Sequence, residues 1–425
     1  MNNIFTHAKI LLPADGTDMQ KWCALACDQF TSEPEYWQNA EKLAENAPST
    51  LHITLPEVYL GKDGVDARIE KIHENMREYE KSVLTKSVDG FVLVRRTTKN
   101  GARIGVVGAV DLEKYSYEKG AMPLIRPSEN TVVDRIPPRL AVRTGAPLEA
   151  PHILMLIDDD KKAIIEPLLA NADKLNKLYD TDLMLGGGHI EGWAITDKAQ
   201  IEALEAAIMA LSEQKYFDEK YPAAKGQKPL AIAVGDGNHS LATAKAHWEN
   251  VKKTLSAQEI EKHPARFALV ELENIHDEAI EIEPIHRVIF GTDARTFDME
   301  FSAFLSRHGS SVGSGQRFII VDKKDDRPVH AKNCPAPLAV GTLEMFLTQF
   351  CAEHDGVTVD YIHGEDSVRK ICAANKAVGV ILPDFAKSDL FKGVVLGGVL
   401  PKKTFSMGEA TEKRYYLECR KIANV

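Results

Sequence analysis

The densest chemistry in the chain lies in Ala231-Ile-Ala-Val-Gly-Asp-Gly-Asn-His-Ser-Leu-Ala-Thr-Ala-Lys. An apolar strand over Pro229–Val234 ends at Gly235. Asp236, Gly237, Asn238 and His239 make a turn, and a helix begins near His239 or Ser240 and runs on through Leu241–Val251. A carboxylate at a strand end can act as a base or hold Mg²⁺, so Asp236 is the candidate metal ligand. His239 can donate to a phosphoryl oxygen. Gly237 lets the backbone approach a ligand or take up positive φ. The N–H groups at the helix start, with the positive end of its dipole, suit an anion, and Ser240 can cap that helix. Asp, Asn, Gly and Ser are also good turn and cap formers. Spacing alone therefore permits both a phosphate and metal cradle and a plain strand-to-helix turn.

Four further clusters could serve such a cradle. Arg126-Pro-Ser-Glu-Asn-Thr-Val-Val-Asp-Arg packs two acidic and two basic side chains into a Pro-rich stretch, which would otherwise form a surface salt-bridge network. Leu185-Gly-Gly-Gly-His-Ile-Glu-Gly-Trp enters a strand. Gly187 and Gly188 could wrap a phosphate with backbone N–H groups beside His189, or simply form a flexible hairpin. The run lacks the Gly-Lys-Ser/Thr ending of a Walker motif. His286 and Arg287 follow an acidic alternating strand, Glu278–Glu283. Lys403 and Thr404 sit in Pro401-Lys-Lys-Thr-Phe, either reaching a phosphate from a loop or forming a solvated basic turn.

Other chemistries find no support. The 14 histidines are dispersed. No His-Glu-x-x-His or paired Cys/His set exists, so metals other than Mg²⁺ are not favoured. There is no Gly-x-Ser-x-Gly elbow and no Gly-x-Gly-x-x-Gly after an early strand. A net charge of −10 gives no global basic field for a nucleic-acid backbone, yet leaves room for a local phosphate site.

The elements that must position these residues alternate strand and helix. Leu51–Leu55 alternates like a strand until Pro56. Asp66–Val83 carries Ile69, Ile72, Met76 and Tyr79 at helical spacing. Gly90–Arg95 and Arg103–Val110 read as strands joined at Lys99-Asn100-Gly101, a strong hairpin signal. Residues 123–151 form an ordered loop or crossover. A buried strand over His152–Asp158 leads into a helix through Leu178; Ala199–Gln214 is helical, and strands resume near Arg266. The apolar runs Ala377–Pro383 and Val394–Leu400 are strand-sized. Cys23 and Cys27 would share one face if helical, and six scattered cysteines are too few for a disulfide scaffold. A chain of 425 residues suggests two or three domains. The expected division is an N-terminal α/β region over 1–125, a core over 126–295, and an α/β region over 296–425 that completes the site. The N-terminus has no basic region followed by a long apolar core, and no run reaches a membrane span, so a cytoplasmic protein is expected.

The turn resembles the Asp-Gly-His/Asn-His-Arg motif of the ParB/sulfiredoxin-like superfamily, which includes the free-serine kinases. The whole chain resembles the domain-of-unknown-function family 1015. The likeness includes Ser128-Glu-Asn-Thr with Asp134-Arg135, which is similar to that family's His-Glu-x-Thr and downstream Asp-Arg. It extends to Trp193-Ala-Ile-Thr-Asp, Pro284-Ile-His-Arg and Leu400-Pro-Lys-Lys-Thr-Phe. The resemblance implies an α/β (mixed α+β) fold with a ParB/sulfiredoxin-like core and additional elements at both ends. It implies Glu129 as general base, activating a substrate hydroxyl, and Arg287 as a phosphate ligand. In one departure, Ser240 stands where the superfamily has Arg; Arg135 or Arg139 would then supply the missing charge. In another, Ser128 replaces the His of His-Glu.

The expected function is phosphoryl transfer to a small hydroxy-amino acid such as serine, or from its phosphate, with Mg²⁺ and a nucleotide, ATP or ADP. Partners would be small phosphorylated metabolites or nucleotides, with neither nucleic acid nor membrane; a homo-oligomer is compatible with the sequence. The alternatives are a phosphatase using the same cradle, or a non-catalytic regulator binding nucleotide or phosphometabolite.

Overall fold

The computed structural model describes residues 3–323 and 325–423. The chain divides into two units, Met1–Ile280 with Gly408–Val425, and Glu281–Met407. It is mixed α/β throughout.

The strands of the first unit, in chain order, are β1 (Phe5–Thr6), β2 (Ala8–Leu12), β3 (Lys86–Thr98), β4 (Gly101–Asp111), β5 (Ile125–Pro127), β6 (Leu148–Glu149), β7 (Leu154–Ile157), β8 (Asn176–Asp182), β9 (His189–Ile195), β10 (Ile232–Asp236) and β11 (Phe267–Asn274). Ten of them form one sheet, ordered β5-β10-β7-β11-β4-β3-β9-β8, with β1 on β4 and β2 on β3. This sheet takes strands from both sides of residue 125.

The apolar run in β3 is covered on both faces. Val92 and Val94 enter one core with Trp22, Met76 and Tyr415. Phe91 and Leu93 enter another with Met155, Ile232 and Trp248. The β3–β4 hairpin turns at Lys99 and Asn100, and Gly101 takes φ 122° to close it.

The second unit holds β12 (Ile282–Phe290), β13 (Ser311–Val321), β14 (Asp326–Lys332), β15 (Thr358–His363), β16 (Ala377–Ile381) and β17 (Phe405–Met407). Its sheet runs β14-β13-β16-β12-β15, with β17 on β12. Its core is built on Phe297, Phe301, Phe304, Phe346 and Phe350. The chain then returns to the first unit, where β18 (Arg420–Lys421) pairs with β6.

Several local expectations give way to side-chain capping. Leu51–Leu55 is not a strand. Thr50–Ile53 forms a 3-10 turn, with Ser49 Oγ accepting the Leu51 N–H at 3.3 Å. The helix expected through Leu178 shrinks to Glu166–Leu169. Asp159 ties down Ala163 and Ile164 N–H at 2.6 and 2.8 Å, and β8 starts at Asn176. Val394 lies in the helix Lys387–Gly397 rather than a strand. Cys23 ends the short helix Met19–Trp22, so it shares no helix with Cys27. All six cysteines are thiols. Among the described residues no helix is long and apolar enough to cross a membrane.

Candidate functional site

β5 and β10 are parallel neighbours, with Ile125, Arg126 and Pro127 opposite Ile232, Ala233 and Val234. Their carboxyl ends therefore release two segments side by side, Ser128–Val132 and Gly237–Ser240. Ligands of α/β sheets gather at such strand ends. The two segments touch. Asn238 Nδ2 donates to Ser128 Oγ at 3.4 Å, and the Val132 N–H donates to His239 Nε2 at 3.2 Å. The second bond makes Nε2 the acceptor and leaves the proton of a neutral His239 on Nδ1. Glu129, which lies between Ser128 and Val132 in the chain, is half-buried.

The turn itself needs its glycine. Gly237 is the N-cap of the helix Asn238–Val251 at φ 82°, and a Cβ there would meet Ile153 Cα at 3.1 Å. Ser240 does not cap this helix. It sits inside the first turn, and its hydroxyl lies 3.2 Å from His152 Nε2. With glycine at the N-cap, no side chain caps the helix start.

Two acceptors at this turn are buried without a hydrogen-bond donor: Asp236 Oδ2 and Asn238 Oδ1. Leaving a buried acceptor unsatisfied costs about 1–3 kcal/mol. The other Asp236 oxygen lies 3.5 Å from Lys413 Nζ, and Lys413 is buried. His152, also buried, bonds through Nδ1 to the Tyr416 hydroxyl at 2.8 Å and faces Asp28 at 3.6 Å through Nε2. Burial pulls its pKa down, but Asp28, Asp236 and Glu57 outweigh burial and leave it above its ordinary value. Asp28 is correspondingly held well below the usual carboxylate range: burial pushes it up, and His152, with Gln29 and Lys413, more than reverses that.

Sequence reasoning missed Lys413, His152, Tyr416 and Asp28. None stands near the turn in the chain, and no motif marks them. Of the expected cations, Arg135 is exposed on the turn before the helix Ile136–Arg143. Arg139 pairs with Glu57 and donates to the Arg135 carbonyl at 2.6 Å.

The glycine loop lies at the β8–β9 end of the strand order, with β7, β11, β4 and β3 between it and β10. A Cβ at Gly187 would meet the Tyr415 ring at 2.5 Å, and one at Gly188 would collide with the Thr97 carbonyl. Close packing thus accounts for both glycines. His189 is held between Asp182 at 2.7 Å and Asp180 at 3.0 Å, whose hydrogen bonds raise its pKa.

In the second unit, His286 and Arg287 come together with Lys403 and Thr404. The Ile285 N–H donates to the Thr404 carbonyl at 3.2 Å. Arg287 is fully buried. It pairs with Glu344 at 2.6 Å, donates to the Ile285 and Lys402 carbonyls, and stacks over Tyr361. Burial pushes His286 down to about 4, and its Nδ1 accepts the Leu382 N–H. Thr404 Oγ1 donates to the Pro401 carbonyl at 2.6 Å, and Lys403 takes φ 57°.

Fold and turn together define a class: a mixed α/β protein with an acidic glycine turn at the carboxyl ends of two adjacent parallel strands. The family profile described as "Protein of unknown function (DUF1015)" matches residues 11–378. The chain belongs to that family. No curated protein matches the sequence. Among solved structures, a free serine kinase variant in complex with ADP is similar at 12% identity, with 77% of this chain and 95% of that chain covered and a TM-score of 0.40. A conserved hypothetical protein from Pyrococcus furiosus is similar at 11% identity, covering 73% and 90%, with a TM-score of 0.33. SbnI with a C-terminal truncation, from Staphylococcus aureus, is similar at 10% identity, covering 71% and 82%, with a TM-score of 0.34.

Proposed function

We propose that the protein transfers a phosphoryl group between a nucleotide and a small hydroxy-amino acid of the serine type. The observation that carries this reading is the pair of donor-less buried acceptors, Asp236 Oδ2 and Asn238 Oδ1, at a capless helix start. Acceptors without donors suit a hard cation, and the N–H groups beside them suit an anion. Mg²⁺ bound with a phosphate satisfies both demands. Mg²⁺ needs only one or two protein carboxylates when phosphate oxygens and water complete its shell. Asp236 alone then suffices, in keeping with the absence of any three-ligand His/Cys/Asp/Glu group among the described residues. Bound there, the ion would neutralise charge on the transferred group. The acceptor and nucleotide follow from the likeness of Asp236-Gly-Asn-His to the turn of the superfamily that includes the free-serine kinases.

In this reading Glu129 takes the proton of the acceptor hydroxyl, and its segment is already fastened to the turn through Ser128 and Val132. His239 and the helix-start N–H groups bind phosphate oxygens. Lys413 supplies the charge that Ser240 does not, from beside Asp236.

The test is turnover of serine or phosphoserine by the purified chain with Mg²⁺ and ATP or ADP, followed by ³¹P NMR. Glu129→Gln is expected to lower kcat by roughly 10²–10⁴, the usual range for a general base, with nucleotide binding retained. Asp236→Ala is expected to abolish the Mg²⁺ dependence of nucleotide binding. Nucleotide binding without turnover would leave the non-catalytic alternative standing. Unchanged turnover in both variants would remove the site.

A further inference from the structure

A cleft of about 390 Å³ lies in the first unit, where β1 passes into β2. Its lining comes from that junction, from β4, from the connection that leads into β11, and from β18. The volume is that of an ordinary small-molecule pocket. No residue of the Asp236 turn, of the Ser128–Val132 segment or of the His152 network lines it.

The walls are tied together. Thr6 is the register partner of Ala109 on β4. Arg420 reaches from β18 to donate to the Pro264 carbonyl at 3.0 Å and to the Phe267 carbonyl. Walls fixed in advance spare a ligand the cost of ordering them.

Charge sets this cleft apart. The whole chain carries −10, yet no carboxylate lines the cleft, whereas His7, Lys9, Lys262, Arg420 and Lys421 all do. Three of these basic groups are engaged. Arg420 Nε donates to Glu149 at 2.8 Å, Lys421 pairs with Glu80, and His7 Nδ1 lies 2.8 Å from Glu205. Two are not. Lys9 and Lys262 are exposed, and among the described residues neither ammonium has an ion-pair or hydrogen-bond partner. Apolar surface accompanies them, for Leu11, Pro264 and Phe267 line the same cleft.

With the guanidinium engaged, recognition falls to the ammonium groups. An ammonium acts as a point charge rather than a planar fork, so it selects for charge and not for shape. Two of them suit two negative charges, and the apolar lining suits an apolar body. Scaled from benzene in a cavity of about 150 Å³, the cleft holds about fifteen non-hydrogen atoms. We infer that this cleft binds a small organic dianion with an apolar body, its charges met by Lys9 and Lys262. The inference is independent of phosphoryl transfer at the turn, because it is read by binding alone and at residues outside that site.

The test is calorimetric titration of the full chain with 2,6-naphthalenedicarboxylate, 2-naphthoate and 2-naphthol at neutral pH. These share one ring system and carry two, one and no charges. Each charge is expected to raise affinity about two- to fivefold, the range for an exposed ion pair, and high salt should shrink the gain. Lys9→Met and Lys262→Met should each remove one such step, and the double variant should bind the three probes alike. Bound dicarboxylate should also shield Lys9 and Lys262 from reductive methylation and leave the exposed Lys62 reactive. No binding of the dicarboxylate, or equal affinity for the three probes in the wild-type protein, would overturn the inference. So would a charge preference that survives in the double variant, or a bound dicarboxylate that leaves both lysines open to methylation.

Discussion

Lys413 is the residue on which the charge balance of the turn depends. It is buried, and its ammonium lies 3.5 Å from the Asp236 carboxylate. A cation so placed can share in neutralising a bound phosphate. Hydrogen bonds to charged groups contribute about 1.5–3 kcal/mol, so Lys413→Met is expected to weaken ADP binding roughly tenfold to a hundredfold. Titration with ADP at fixed Mg²⁺ measures this; affinity equal to the wild type would exclude Lys413 from the phosphate site. The sequence makes Asp236, Gly237, Asn238 and His239 conspicuous because they are contiguous and chemically unusual together. It hides Lys413 and His152, since each becomes part of the site only through tertiary contacts: Lys413 arrives on the returning C-terminal segment and His152 just before β7. Ser240 looks like a cap in the sequence for a related reason. Gly237 can take the N-cap conformation without a side chain, and that moves the helix start forward and releases the Ser240 hydroxyl toward His152.

β11 shows why some elements are legible and others are not. Its alternation places Ala268, Val270 and Leu272 in one core. The opposite parity is apolar at Leu269 but carries carboxylates at Glu271 and Glu273, both buried. Pattern reading finds the strand and cannot foresee the buried acids, whose partners come from elsewhere: Arg103 from β4 and Arg414 from the C-terminal segment. The helix expected after β7 fails in the opposite direction, because Asp159 spends its carboxylate on local backbone N–H groups. Glu273 has no hydrogen bond to either oxygen, and burial raises its pKa to about 8; Arg103, 2.8 Å away, opposes this, while Glu271 and Asp277 add to it. Between its ordinary 4.5 and about 8, the folded protein holds a proton that the unfolded chain has released, so stability falls as pH rises through that window. Glu273→Gln, which keeps the shape without the charge, should flatten the fall and melt higher than wild type at pH 8 (about the folded value). Thermal melts across the window decide this. A variant that melts lower throughout would mean that the Arg103 pair outweighs burial.

At the scale of the molecule, the second unit is an insertion. The first unit breaks off at Ile280 and resumes at Gly408. Ile282 and Met407, just inside the two ends of the insertion, are register partners on β12 and β17. Its termini are therefore adjacent, the arrangement in which inserted domains tolerate excision. It also has its own sheet and its own aromatic core. The first unit, by contrast, cannot spare the C-terminal segment beyond the insertion. Arg414 is buried between Glu271 and Glu418 at 2.7 and 2.6 Å, Tyr415 donates to the Met184 carbonyl, and β18 pairs with β6. Removing Arg414 would leave two buried carboxylates without their cation, at about 3–5 kcal/mol. Two chains separate these roles. Residues 281–407 alone are expected to fold, with a cooperative melt and mixed α/β circular dichroism. A chain ending at Met407 should lose the cooperative melt of the first unit, whereas joining Ile280 to Gly408 through a short linker should restore it. Since Lys413 and Tyr416 travel with that segment, the joined chain should also recover the ADP affinity attributed to Lys413, if the turn and the C-terminal segment are together sufficient for the nucleotide. A joined chain that folds and binds no ADP would show that the turn and the C-terminal segment are not sufficient for the nucleotide.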